Sequence, residues 1–328
     1  MSKPDSYYID FIRNTKFLKD VTKNIYFKKL ATIQKEICPG SSIENIINNP
    51  IIFKKNLEIY ANKTKGRLGD SLGHHSRDIM VSALMSLFLY NQQLKEDKYE
   101  KYMEWKKVQD EIRLPIVNKY NSNEPTKKQQ ESYVSFDEIL KVRDSLKPGT
   151  MERLLLYMYS EIPPVRSDYY HTKIYREIPP TFGTSAENHI VINKKNPFLV
   201  LEKYKTAKTY GLLVIDLPQK LVNEIERSLV EYPRDYLFMS PLGNPFDKEN
   251  TFNKWANRVL KKLFNKKNFT LSMLRHIYIS RRDLKLEEKS GLEQEQIAKL
   301  MGHSIGQQRK YLWHSWLKNV DSAGKQLN

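Results

Sequence analysis

Apolar residues recur at three- and four-residue spacing through the first 121 positions. "YYIDFIRNTKFL", "IYFKKLATIQKEI" and "IIFKKNLEIYANKT" each carry one apolar face, which is the pattern of amphipathic helices. "HHSRDIMVSALMSLFLYNQQL" adds a further helix, with Ser76 placed as its N-cap and Asp78 in its first turn. Its apolar stretch over 79–90 is too short to span a bilayer and reads as a helix buried in a core. "YEKYMEWKKVQDEI" continues the series. The pattern predicts a module of four or five helices over 1–121.

Periodicity then lapses. "NKYNSNEPTKKQQESYV" (118–134) is polar, holds a proline and has no apolar face, so 122–134 reads as a linker. A second domain is expected over 135–328. It opens at "SFDEIL", where Ser135 and Glu138 have capping-box spacing. "TMERLLLYMYSEI" (150–162) is a strongly apolar helix stopped by Pro163 and Pro164. β-Branched and large apolar runs follow in "HIVIN", "PFLVLEKYKT" and "GLLVIDLP", the last two joined by "AKTYG" as a hairpin. Helical spacing returns after Pro218 and holds to "QQRKYLWHSWLKN". The expected fold is mainly α with a small antiparallel β-sheet.

Composition narrows the partner. Lys and Arg total 55 against 38 Asp and Glu, a formal charge of +17 over 328 residues. An excess of that size points to a polyanion, with nucleic acid the leading candidate. One cysteine, Cys38, excludes a disulfide framework within the chain and a Cys-based zinc site. His74 and His75 have no carboxylate or thiol partner in metal-ligand spacing, so no metal site is expected. The N-terminus has no run fit for a signal peptide. A soluble, intracellular protein is expected, with no membrane association.

Cutting a DNA strand without a metal needs several groups. Guanidinium clamps must meet charge growing on the phosphate. A nucleophile must attack phosphorus, and an acid must protonate the leaving oxygen. The chain offers these in order. Arg166 lies in "PPVRSDYY", Lys208 in the hairpin turn, Arg275 and His276 in "SMLRHIYIS", His303 in "LMGHS" and Tyr311 in "QQRKYLW". The helical pattern sets Leu271, Leu274 and Tyr278 on the core side and Arg275 at the edge. His276 reads as a packed or hydrogen-bonded histidine rather than a catalyst. Lys205 shares the hairpin with Lys208 and competes with it for the acid's role.

This ordered set resembles the catalytic domain of the tyrosine recombinase (phage-type integrase) family over about 135–316. "LRHIYIS", "IAKLMGHS" followed by Tyr, "PPVRSDYY" and "KTAKTYGLLVIDLP" are the segments that carry it. The helical module at 1–121 is similar in size and place to the family's core-binding domain, which would close over the opposite face of the DNA. The resemblance implies that Tyr311 attacks the phosphate to give a 3′-phosphotyrosyl link. Arg166 and Arg275 would grip the nonbridging oxygens, Lys208 would act as general acid, and His303 would donate to the phosphate. Neither ATP nor metal is implied. It further implies double-stranded DNA with a specific recombination site, a tetramer assembled on it, and a virus or mobile element as origin, with the host nucleus or cytoplasm as location if viral.

Three positions depart from the family pattern. Ser272 stands where a histidine is usual. His303 and Tyr311 are eight residues apart, one fewer than common. Asp168 follows Arg166 by two residues rather than three and is kept as a support for Arg166 or His303. Lys261, Lys262, Lys266, Lys267, Arg281 and Arg282 flank the Arg275 segment and suit backbone phosphates. Two other readings stay open. A type IB topoisomerase shares the chemistry, and "IAKLMGHS" can be read as part of a helix-turn-helix in a non-catalytic DNA-binding protein.

Overall fold

The apolar faces close into separate cores in two units, Met1–Ser122 and Asn123–Asn328. The computed structural model describes residues 3–64, 71–179, 187–193 and 195–317, apart from the side chains of Arg282, His314 and Ser315.

In the first unit the described residues form seven α-helices, with a π-helical turn at Ile33–Ile37 following the second: α1 (Asp5–Asn14), α2 (Asp20–Thr32), α3 (Ile43–Asn48), α4 (Pro50–Lys63), α5 (His74–Leu89), α6 (Gln92–Asp97) and α7 (Tyr99–Asn121). The sequence pattern gave four or five, because α3 and α6 are too short to show a period. Each of those two is marked instead by a capping side chain, Ser42 and Asn91. α5 starts at His74 behind Gly73, two residues before the expected cap at Ser76. Its Met80, Val81, Ala83, Leu84, Leu87 and Phe88 are all buried. Trp105 of α7 fills the same core and donates its indole N–H to the Ile47 carbonyl at 2.9 Å.

The second unit begins within the stretch read as a linker. Thr126 and Gln129 make a reciprocal capping box that opens α8 (Lys127–Glu131), and Tyr133 and Val134 are buried in the core of this unit. Ser135 then caps α9 (Phe136–Ser145), accepting the Glu138 N–H at 3.1 Å. α10 (Met151–Ser160) is the central core helix, with Leu154, Leu155, Leu156 and Met158 fully enclosed. At roughly 1.5–3 kcal/mol for each large apolar side chain taken from water, these residues anchor the unit.

The sheet is β1 (Lys173–Tyr175), β2 (His189–Val191), β3 (Phe198–Leu201) and β4 (Leu213–Asp216), in that spatial order. β2, β3 and β4 pair antiparallel, with Ile190 opposite Leu199 and Leu199 opposite Ile215. β1 pairs parallel with β2, so the sheet is mixed rather than purely antiparallel. That strand escapes a reading of the sequence because it is a three-residue edge with only half-buried side chains. The β3–β4 hairpin contains α11 (Ala207–Tyr210), ended by Gly211 at φ 67°. The remaining helices are α12 (Gln219–Glu231), α13 (Glu249–Leu263), α14 (Leu271–Ser280), α15 (Gly291–Leu300), α16 (Ile305–Arg309) and α17 (His314–Leu317). No described helix is long and apolar enough to cross a membrane.

Candidate active site

Four segments of the second unit meet around Tyr311. The first leaves α10 at the Pro163–Pro164 break. There the Tyr159 hydroxyl donates to the Arg166 carbonyl and the Ser167 hydroxyl donates to Glu249 Oε1 at 2.7 Å. These bonds fix the backbone from which Arg166 reaches the Gly302 carbonyl with Nη1, at 3.4 Å.

Asp168 follows and is buried, 6% exposed. Burial and the nearby Glu249 push its carboxyl up, while the Lys205 N–H, Arg166 and Arg275 pull it down. On balance the Asp168 carboxyl is raised, and it accepts from the hairpin backbone at Lys205. The second segment is the β3–β4 hairpin. Asn188, one residue before β2, ties it to the first. Its Nδ2 donates to the Asp168 and Lys203 carbonyls at 2.9 Å each, and its Oδ1 accepts the Glu202 and Lys203 N–H groups at 3.0 and 2.8 Å. Nothing in the sequence marks this asparagine except its place at the head of an apolar run.

The third segment is the end of α15. The His303 N–H bonds to the Ala298 carbonyl at 3.0 Å and the Gly302 N–H to the Lys299 carbonyl at 2.8 Å, with Gly302 at φ 67°. This is a Schellman ending, which favours glycine at that position. Ser304 at once caps α16 by accepting the Gln307 N–H at 3.2 Å. His303 is therefore held between two fixed termini and is 2% exposed. The Gly302 carbonyl also accepts the Thr206 hydroxyl at 2.7 Å, which joins this turn to the hairpin. Nothing in the sequence marks Thr206, since a hydroxyl between lysines carries no signal of its own.

The fourth segment is α14. Arg275 was expected at the edge of its helix but is 2% exposed, among the largest fully buried side chains. Its Nη2 donates to the Met301 carbonyl at 3.2 Å, and its guanidinium lies 4.7 Å above the Tyr311 ring. The ring stands in for some of the missing solvent as a cation–π partner. Burial draws the Arg275 pKa downward, offset by Tyr311 and reinforced by Arg166.

Tyr311 itself does not lie on a helix, as its flanking pattern had suggested, but in the turn between α16 and α17. Its ring is half-buried, 5.4 Å from the His303 ring and 4.7 Å from the His276 ring. Trp313 is buried in the core and stacks on His276, and Trp316 packs edge-on against Tyr133.

Three buried polar atoms in this cluster have no hydrogen-bond partner among the described residues: Nε and Nη1 of Arg275 and Nε2 of His303. The His303 imidazole is pushed down to about 4 by burial, and by Arg275 and Arg166, against the opposing pull of the Ser304 carbonyl. It is neutral near pH 7. Its Nδ1 lies 3.1 Å from the Ser304 carbonyl, which can only accept. The proton is therefore assigned to Nδ1, leaving a lone pair on Nε2.

The other candidate residues stand apart from these contacts. Lys205 and Lys208 are exposed on either side of Thr206, and neither ammonium has a hydrogen-bond partner among the described residues. Ser272 is exposed on the first turn of α14, one turn before Arg275. Lys261, Lys262 and Lys267 are exposed, while Lys266 is half-buried with Nζ 3.4 Å from the Glu131 carbonyl. Arg281 is engaged by the Phe136 and Tyr278 rings and by Asp283. The Arg282 side chain and the tail beyond residue 317 lie outside the described residues. No group of His, Cys, Asp and Glu able to hold a metal occurs among the described residues.

No family model matches the chain, and no curated protein does. Among solved structures it is similar to XerA recombinase, at 14% identity and a TM-score of 0.40, over 94% of this chain and 93% of that one. It is also similar to XerH site-specific recombinase bound to its difH substrate in a pre-cleavage complex, at 11% identity and a TM-score of 0.41, over 95% and 94% of the two chains. The post-cleavage complex of XerH with a palindromic difH substrate gives 11% identity and 0.42, over 95% and 93%. At identities and TM-scores this low, the chemistry of the site rests on its own geometry.

Proposed function

We propose that the cluster around Tyr311 binds a DNA phosphodiester and cuts it by transfer to the tyrosine. The observation that carries this reading is the pair of buried, unpartnered donors on Arg275, Nε and Nη1, beside the unpartnered lone pair of His303 Nε2. Leaving a buried donor unpaired costs about 1–3 kcal/mol, and more when it is charged. An anion between Arg166 and Arg275 would remove that cost. The charge of +17 suits a nucleic acid as its source.

In the step we propose, the Tyr311 oxygen bonds to phosphorus and the bond to the 5′ oxygen breaks. A 3′-phosphotyrosyl link and a free 5′-hydroxyl result. The Tyr311 proton passes to the Nε2 lone pair of His303, and the imidazolium so formed donates to a nonbridging oxygen. Lys208 protonates the leaving 5′ oxygen, with Lys205 as the alternative from the same hairpin. Attack by a 5′-hydroxyl on the phosphotyrosine reverses the step, so the energy of the broken bond is conserved without ATP.

The resulting activity is that of a site-specific recombinase or integrase from a virus or mobile element, acting as a tetramer on a defined DNA site. The first unit would also bind the DNA. A nicking-closing enzyme of type IB topoisomerase kind would use the same groups, and relaxation of plasmid without strand exchange separates the two. A helix-turn-helix reading of α15 and α16 in a non-catalytic DNA-binding protein predicts binding with no covalent adduct.

The test is incubation with a random-sequence pool of nicked duplexes, followed by denaturing electrophoresis. A covalent protein–DNA band that Tyr311→Phe abolishes is expected. Its absence from the wild type, or its survival in the variant, would overturn the reading.

A further inference from the structure

The Tyr311 carbonyl is held by side chains of a single helix. His276 Nδ1 lies 3.0 Å from that oxygen and Ser280 Oγ 3.2 Å from it. The two residues are four apart on α14 and so share a face. Ser280 Oγ also accepts the Trp313 N–H at 2.8 Å. The backbone on both sides of Leu312 is thereby pinned to α14.

The local backbone fits this arrangement. After α16 the chain tightens, with the Tyr311 N–H bonded to the Gln308 carbonyl at 2.9 Å and the Leu312 N–H to the Arg309 carbonyl at 3.2 Å. The Tyr311 carbonyl leaves the helical ladder and is satisfied by side chains instead. The His276 ring fills the space between, stacked on Trp313 at 4.2 Å and 10° and tilted against Tyr311 at 4.7 Å.

We infer that His276 and Ser280 are positioning residues for the nucleophile, holding the Tyr311 backbone so that its ring stays against Arg275. The inference rests on Tyr311 being the nucleophile. Its physical content is that one rigid helix carries both a phosphate clamp, Arg275, and the seat of the attacking residue. Their separation is then set by α14 and not by the turn between α16 and α17. An error of about 1 Å in such a separation can cost roughly a hundredfold in rate.

The chemistry of the seat is specific. A carbonyl only accepts, so His276 must carry its proton on Nδ1. Burial pushes the imidazole down to about 4, with the Tyr311 carbonyl opposing and Arg275 assisting. The ring therefore stays neutral beside Arg275 and adds no like charge to the clamp.

The test compares single-turnover rates of covalent adduct formation on a saturating nicked duplex recovered from the random pool. His276→Phe keeps a ring for Trp313 but deletes the donor. His276→Asn returns a donor near the Nδ1 position. Ser280→Ala removes one hydroxyl. The first and third variants should each slow cleavage about ten- to hundredfold, with DNA affinity within about threefold of wild type. Their double variant should lose less than the product of the single losses, because both act on one oxygen. His276→Asn should recover most of the rate lost in His276→Phe. If His276→Phe does not fold, Ser280→Ala carries the test. Wild-type rates in His276→Phe and Ser280→Ala would overturn the seat while leaving Tyr311 as nucleophile. A wild-type protein that forms no adduct would overturn the underlying reading instead.

Discussion

The Arg275 guanidinium lies over the Tyr311 ring, Cζ 4.7 Å from the centroid, and is almost wholly withdrawn from water. Two of its nitrogens are left without partners. Such an arrangement is costly in the free protein and useful only when an anion arrives. Arg275→Met should therefore reduce adduct formation by roughly a hundred- to thousandfold, the usual cost of losing a preorganised charge donor. The thermal midpoint should stay near the wild-type value, since removing two unpartnered buried nitrogens offsets the loss of the Met301 bond and the contact with the Tyr311 ring. A midpoint that drops sharply would make Arg275 a structural residue.

Acid should weaken the fold through two histidines. His276 and His303 are both pushed down to about 4 from the ordinary 6.5, chiefly by burial. Between those values the unfolded chain takes up protons that the folded one refuses. Their contribution is fully present above about 6.5 and is lost as pH falls towards 4. At about 1.4 kcal/mol per pKa unit the effect approaches roughly 3 kcal/mol per histidine. Denaturant midpoints measured from pH 7 down to 4.5 should fall, and His276→Asn with His303→Asn should flatten the fall. An equal fall in the double variant would contradict the assignment.

Gly302 is fixed by conformation and not by space. It holds φ 67°, whereas a Cβ there would meet the Thr206 hydroxyl and the Tyr204 ring at 3.5 Å, an ordinary van der Waals contact. Gly302→Ala should cost about 1–2 kcal/mol of stability from the left-handed backbone alone. It should also slow cleavage by loosening the Thr206 bond and with it the hairpin. Thermal unfolding and adduct yield measured on one preparation check both effects.

The hairpin lysines can be told apart by the leaving group. Lys208→Ala should cut ordinary DNA at least about a hundredfold more slowly, and a 5′-bridging sulfur should restore its rate, because a thiolate leaves without a proton. Lys205→Ala should respond weakly to the same sulfur. The opposite pattern would move the acid's role to Lys205.

Helix periods and turn residues made most elements readable. α10, α12, α13 and α14 follow from apolar spacing, and the Schellman ending at Gly302 is written in "LMGHS". The ordered set Arg166, Arg275, His303 and Tyr311 was also legible, and the fold brings those four together. What stayed hidden depends on tertiary contacts. β1 is a half-buried edge strand, Asn188 and Thr206 act only through bonds across the chain, and the burial of Arg275 depends on what α15 lays over it. The break at Tyr311 could not be read from a helical pattern, because side chains of α14 capture the carbonyl.

The central claim is that Tyr311 becomes covalently joined to DNA. The most direct measurement is mass spectrometry of the protein after trapping on a nicked duplex and digestion of both components. A nucleotide mass on the peptide containing Tyr311, absent from Tyr311→Phe, is the expected result. A nucleotide on any other tyrosine, or DNA bound tightly with no covalent mass at all, would contradict it.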